Sequence, residues 1–156
     1  MYLGLFHPHH YLAYLVLFLL TLVTAFSLKC WLQGRDYRPI DKRLGLFAML
    51  ATHIQFTLGL ALYFVSPFTT TAMNDFGAAM KNSELRLYAI EHPTVMLLAV
   101  VMVTIAGVKT KRSDSNAAHK TSFIYHAIAL LLVLSRIPWA KWLGLITDQP
   151  VEPLES

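Results

Sequence analysis

Four stretches of the chain, residues 11–28, 44–65, 88–108 and 117–137, are almost wholly apolar. Each is close to the ~20 residues that a helix rising 1.5 Å per residue needs to cross ~30 Å of hydrocarbon. A chain in lipid must satisfy its own backbone hydrogen bonds, which helices do segment by segment. The pattern therefore predicts an all-α fold, a four-transmembrane-helix up-and-down bundle, with residues 1–145 as the membrane domain and 146–156 as a polar C-terminal tail. The composition agrees: 56% of residues are hydrophobic and 14% charged, where soluble domains carry about a quarter charged residues.

The first stretch is not preceded by Lys or Arg and is not followed by a small-residue cleavage pattern. It reads as a retained helix rather than a secretory signal. The single Cys30 excludes an internal disulfide. Basic residues set the expected orientation. The first connection holds Lys29, Arg35, Arg38, Lys42 and Arg43, and the third holds Lys109, Lys111, Arg112 and Lys120. The second holds only Lys81 and Arg86, and the stretch after the fourth helix only Arg136 and Lys141. This asymmetry places connections one and three in the cytoplasm, with both termini and the second connection facing outward. Basic loops of this kind meet lipid headgroups, so no nucleic-acid partner is expected.

Between the second and third stretches, residues 75–81 suit a short interfacial helix. Asn82 or Ser83 is placed to cap the third spanning helix. Pro93 lies inside that helix and frees the carbonyl of Ala89, which then needs a partner from a neighbour. Trp139 and Trp142 suit an aromatic belt. The tail "TDQPVEPLES" is expected to be loose.

Seven histidines in so apolar a chain carry most of the functional signal, because ionisable groups inside a membrane are functional candidates by default. Helices two and four run in the same direction. His53 lies ~14 Å from the start of helix two and His126 ~8–14 Å into helix four at 1.5 Å per residue, so they share a depth near the basic connections. Helices one and three share the opposite direction. His9 and His10 lie at the start of one and His92 at the start of the other, again at a common depth. In an up-and-down bundle both pairs sit on diagonals. Facing neutral imidazoles can hold a haem iron axially in a water-poor core. Thr57 and Ser122, one turn from His53 and His126, are candidates to steady the rings. Gly45, Thr52 and Gly59 recur every seven residues and make a narrow strip beside His53. His119, seven residues before His126, is an alternative ligand or a propionate contact. His7 is an interfacial residue.

Glu91 has three readings: a marker of the water boundary, an orienting or proton-accepting group, or a metal ligand beside His92. Arg136 sits at a similar height and suits either Glu91 or a haem propionate. Met49, Met96 and Met102 read as core filling. No phosphate loop, Cys-x-x-Cys or His-Glu-x-x-His pattern is present.

The stretches "THIQFTLGLALYFVSP" (52–67), "EHP" (91–93) and "SRIPW" (135–139) resemble a group of short four-helix cytochrome b-like membrane proteins common in Bacteroidetes. The resemblance implies a b-type haem protein of the bacterial inner membrane, with both termini then periplasmic, and extends to His53 and to Glu91–His92. In the first helix the family's histidine corresponds more closely to His9 than to His10. The chain departs from the pattern at Ala13, where an arginine is expected. The architecture is also similar to half of a haem A synthase and to cytochrome b561.

The leading expectation is a b-type, di-haem electron-transfer protein. In it His53 and His126 hold one haem b, and His92 with His9 or His10 holds another. Electrons pass to or from a quinone or a respiratory-complex partner. Two alternatives remain at this level: a cofactor-free accessory subunit of a larger membrane complex, and a small metal or proton carrier built on Glu91, His92 and His10.

Overall fold

The computed structural model describes residues 1–142, which are helical apart from short connections. The expected tail (146–156) lies outside the described residues. Helix α1 spans Tyr2–Leu32 and α2 spans Pro39–Val65. Two short helices follow, α3 (Pro67–Asn74) and α4 (Phe76–Lys81). The third spanning unit is Ser83–Thr110. It comprises α5 (Ser83–Arg86), a π-helical turn (Leu87–Glu91) and α6 (His92–Thr110). Helix α7 spans Asn116–Ser135 and α8 is a single turn, Trp139–Trp142.

The helix starts follow local chemistry. Pro39 opens α2, where its missing N–H is no loss, and Asp41 accepts the Arg38 N–H at 2.7 Å. The Asn82 side chain accepts the N–H groups of Glu84 and Leu85 at 3.0 and 3.1 Å, so Asn82 rather than Ser83 is the cap. The carbonyl of Ala89, released by Pro93, receives the Tyr63 hydroxyl from α2 at 3.2 Å. That neighbour's bond, together with the π turn just before Pro93, absorbs the break in the ladder. Helix α1 begins nine residues before the apolar stretch that announced it. Pro8 costs it little, because the carbonyl it frees, that of Gly4, lies beside the helix end. Helix α4 falls where the interfacial helix was expected. Helix α3 was not foreseen; its three threonines are weak helix formers.

Helix α1 packs on α2 and α7, and α6 packs on the same two. The α1–α6 and α2–α7 pairs are therefore the diagonals of a four-helix bundle. Small residues line the contacts, including Ala48, Ala99, Ala106 and Ala129, each 0–1% exposed, which lets the backbones approach closely. Val16, Leu20, Val103 and Val133 fill the centre, with Met49, Met96 and Met102 against them. Large apolar side chains such as Phe18, Phe47, Ile54, Phe64, Leu97 and Leu131 point outward. All four spanning units are long and apolar enough to cross a bilayer, and only 22–33% of each apolar window is buried within the bundle. The outward surface is the one lipid contacts. The chain is a multi-pass membrane protein with an all-α four-helix core.

The two ends of the bundle differ. At the basic end, Asn116 donates to the carbonyls of Cys30, Trp31 and Arg35 at 3.1–3.2 Å, closing the C-terminus of α1. Gly34, with φ +67°, makes the turn there. The Tyr37 N–H reaches the Asp114 carbonyl at 2.9 Å, and Lys42 pairs with Asp114 at 2.6 Å. These contacts join the first and third connections. At the opposite end, α3, α4 and α5 gather around Ala72, Ala79, Leu85 and Ala89.

Candidate functional site

At the end away from the basic connections, α1 carries His9 and α6 opens on His92. Their ring centroids are 6.4 Å apart, with planes inclined at 73°. His92 Nδ1–H donates to the Arg136 carbonyl at 2.9 Å, which leaves Nε2 as its lone-pair nitrogen. His9 is held from α2. The Gln55 amide donates to the His9 carbonyl at 2.8 Å and lies 3.4 Å from His9 Nε2. His9 Nδ1 is buried without a hydrogen-bond partner. The ring lies directly on Gly59, where a Cβ would come within 2.8 Å of His9 Cε1. Gly59 thus belongs to a contact with His9 rather than to a strip beside His53. His10, the alternative on α1, turns elsewhere: Tyr14 Oη is 3.3 Å from its Nε2 and the Trp142 ring 5.5 Å from its own.

Glu91 sits between two guanidinium groups, with Arg86 Nε at 2.8 Å and Arg136 Nε at 3.4 Å. Arg86 also donates to the Met80 carbonyl at 2.9 Å, tying α4 to the site. The expected Arg136–Glu91 pairing is present. The Arg86 contact was missed, although its spacing of five residues, lengthened by the π turn, brings it within reach. Among the described residues no three His, Cys, Asp or Glu side chains converge as a metal-ligand group. The partners of Glu91 are the two arginines.

The other depth-matched pair is arranged differently. His53 Nδ1–H donates to the Met49 carbonyl at 2.7 Å, and its Nε2 lies 3.3 Å from the Thr104 hydroxyl of α6. His126, 2% exposed, donates from Nδ1 to the Ser122 carbonyl at 2.8 Å, with Ser122 Oγ at 3.3 Å. Its Nε2 is buried without a partner. Ser122 steadies its histidine as expected. Thr57 does not: its hydroxyl donates to the His53 backbone carbonyl at 2.9 Å rather than to the ring. His119 is fully buried and faces Asp41 Oδ2, 3.6 Å from its Nε2.

No family model matches the chain, and no curated protein and no solved structure matches it.

This end brings together two imidazoles, His9 and His92, inclined edge to face, and among the described residues no third ligand joins them. Gln55 and Arg86 are site residues that reading the sequence missed, and Gly59 was assigned to His53 instead of His9. Gln55 and Gly59 had a signal: they continue the buried Gly45–Ala48–Thr52 stripe of α2 toward the end that carries His9.

Proposed function

We propose that this protein is a b-type membrane cytochrome in which His9 and His92 would hold a haem b, at the end of the bundle opposite the basic connections. The observation that carries the reading is the 6.4 Å approach of the two rings across the α1–α6 diagonal. Haem iron would supply one-electron redox chemistry. The chain's own residues do the rest. The Arg136 carbonyl fixes the His92 tautomer, and Gln55 and Gly59 fix His9. Arg86 and Arg136 place positive charge beside the site, where Glu91 partly balances it. The resemblance of the 52–67, 91–93 and 135–139 stretches to cytochrome b-like proteins points the same way.

In this reading the protein sits in a bacterial inner membrane with its basic connections in the cytoplasm, and exchanges electrons with a quinone or a respiratory-complex partner. His53 and His126 are the candidates for a second haem, but their rings turn to Thr104 and to Ser122, so the proposal rests on the outer pair. Purified protein from haem-replete cells should give a reduced-minus-oxidised spectrum of b type and about one extractable haem per chain, as bis-histidine ligation requires. A colourless preparation would overturn the proposal. The second reading is a cofactor-free accessory subunit. It is favoured by the protein partners His9 and His92 already have in Gln55 and Arg136. Stoichiometric co-purification with other membrane subunits and no haem signal would support it.

A further inference from the structure

The basic end contains a second cluster of ionisable groups that the haem reading does not use. His119, on α7, has zero exposure, and neither ring nitrogen makes a hydrogen bond of ordinary length, although the Asp36 backbone lies close by. A buried, unpaired imidazole is costly, because its polar atoms have lost water without gaining a partner. The chain keeps it beside an acid. Asp41 Oδ2 lies 3.6 Å from His119 Nε2, and both side chains are 3% exposed or less. On its other oxygen Asp41 holds Arg35 Nη2 at 2.6 Å. Arg35 is 22% exposed at its side chain, so this three-residue row runs from water to the buried imidazole.

Tyr37 closes the cluster. Its ring stands edge-on to His119 at 4.7 Å between centroids. Its hydroxyl faces Gly45, whose Cβ, if present, would be 3.7 Å away. The charged and titratable groups around His119 come from three elements. The first connection gives Arg35, Asp36 and Tyr37, α2 gives Asp41, and α1 gives Cys30 beside Arg35. Helix α6 contributes the Thr110 hydroxyl near Tyr37. Lys42 is engaged by Asp114 at the surface.

We propose that Asp41 and His119 form a reversible proton-binding site, filled from the water at the basic end of the bundle. The proton adds to the lone pair of His119 Nε2, and the resulting imidazolium donates to Asp41 Oδ2. Asp41 then bridges two cations, Arg35 and His119, and nothing is oxidised or reduced. Binding removes the unpaired state of the ring, and a small closing of the 3.6 Å gap completes the hydrogen bond. Tyr37 shields the pair from the membrane interior, so the proton enters and leaves on the Arg35 side. The site does not depend on a haem.

The test is nuclear magnetic resonance of the full-length protein, labelled with ¹⁵N-histidine, in nanodiscs from about pH 4.5 to 9, a range that brackets the ordinary imidazole value. His119 is identified without mutation by its cross-relaxation with the Tyr37 ring. The expected result is a reversible conversion of that ring from neutral to doubly protonated. Asp41→Asn keeps an oxygen for the Arg38 N–H and removes the charge. It should lower the proton affinity of His119 about tenfold or more, as loss of an adjacent opposite charge does. A His119 ring that holds one protonation state throughout, or an Asp41→Asn midpoint equal to that of the wild type, would overturn the proposal. Because the wild-type titration needs no variant, a failure of Asp41→Asn to fold leaves the first arm decisive.

Discussion

The His9–His92 and His53–His126 pairs are matched in depth on opposite diagonals, yet the described contacts bring only the first pair ring to ring. The difference lies in rotation about the helix axis. On α1 the buried residues Val16, Leu20, Val23, Ser27 and Cys30 form a stripe spaced by three and four. Continued backward through Ala13, it reaches His9. On α6 the buried stripe Ala99, Val103, Ala106, Thr110, continued through Met96, reaches His92. His126 also lies on its helix's stripe, between Ser122 and Ala129. His53 does not. At its height the buried residue of α2 is Thr52, and one residue onward is a turn of about 100°, which aims His53 at α6 and Thr104. Depth is necessary for a facing pair, and the angular register decides it.

The largest effect should come from the two proposed ligands. His9→Ala and His92→Ala are each expected to abolish haem binding, a loss greater than the about tenfold that removing an orienting partner costs. His53→Ala should leave the spectrum of the outer haem in place. Equal loss in His53→Ala and His92→Ala, read as haem per chain on purified protein, would erase the distinction between the pairs.

A smaller and sharper probe is Gly59→Ala. A Cβ there meets His9 Cε1 at 2.8 Å, so the ring or the helix must move. Overpacking of this kind costs about 1–3 kcal/mol, partly offset by the better helix propensity of alanine. The same change at Gly45 meets only Tyr37 Oη, at an ordinary 3.7 Å. The two substitutions are chemically identical and sit on one stripe of α2. A lowered thermal midpoint and reduced haem content are expected for Gly59→Ala and not for Gly45→Ala. Similar behaviour of the two would mean that His9 is free to step aside.

How much of this was legible from the residues follows the same division between axis and angle. The four spans, the capping role of Asn82 and the need of the Ala89 carbonyl for a partner are local consequences of apolar length, an amide side chain and a proline. They could be read one segment at a time. The Arg136–Glu91 pair was readable from height alone. Gln55 on His9, Arg86 on Glu91 and Asp41 on His119 depend on which way side chains turn in the assembled bundle. The stripe of α2 contained the first of these. The π turn hid the second, because it adds a residue to the helical spacing between Arg86 and Glu91. The third needed the first connection to fold back, so that Tyr37 enters the bundle end, and its sequence of charges and a proline gives no such sign.

Asn116→Ala probes the basic end in the same terms. The amide donates to three carbonyls at the end of α1, and its loss leaves partly buried acceptors unpaired at about 1–3 kcal/mol. The thermal midpoint should fall while the haem spectrum of the opposite end stays unchanged. A spectral change would show that the two ends are coupled through α1, and the comparison would have to be redrawn.

The smallest effect concerns Tyr37 and pH. Burial pushes the Tyr37 hydroxyl above its ordinary value of 10.0, and the Asp41 carboxylate adds to the rise, while the Thr110 and Ser122 hydroxyls and Lys42 oppose it. The folded chain therefore keeps this proton at a pH where the unfolded chain has lost it. The stabilisation is fully present below the unfolded value near pH 10 and declines as pH rises from there through the folded value. Tyr37→Phe keeps the ring against His119 and has no proton to lose, so above about pH 10 its stability should fall less steeply than that of the wild type. Parallel alkaline denaturation curves for the two proteins would mean that water reaches the Tyr37 hydroxyl. The first connection would then lie over the bundle end without sealing it.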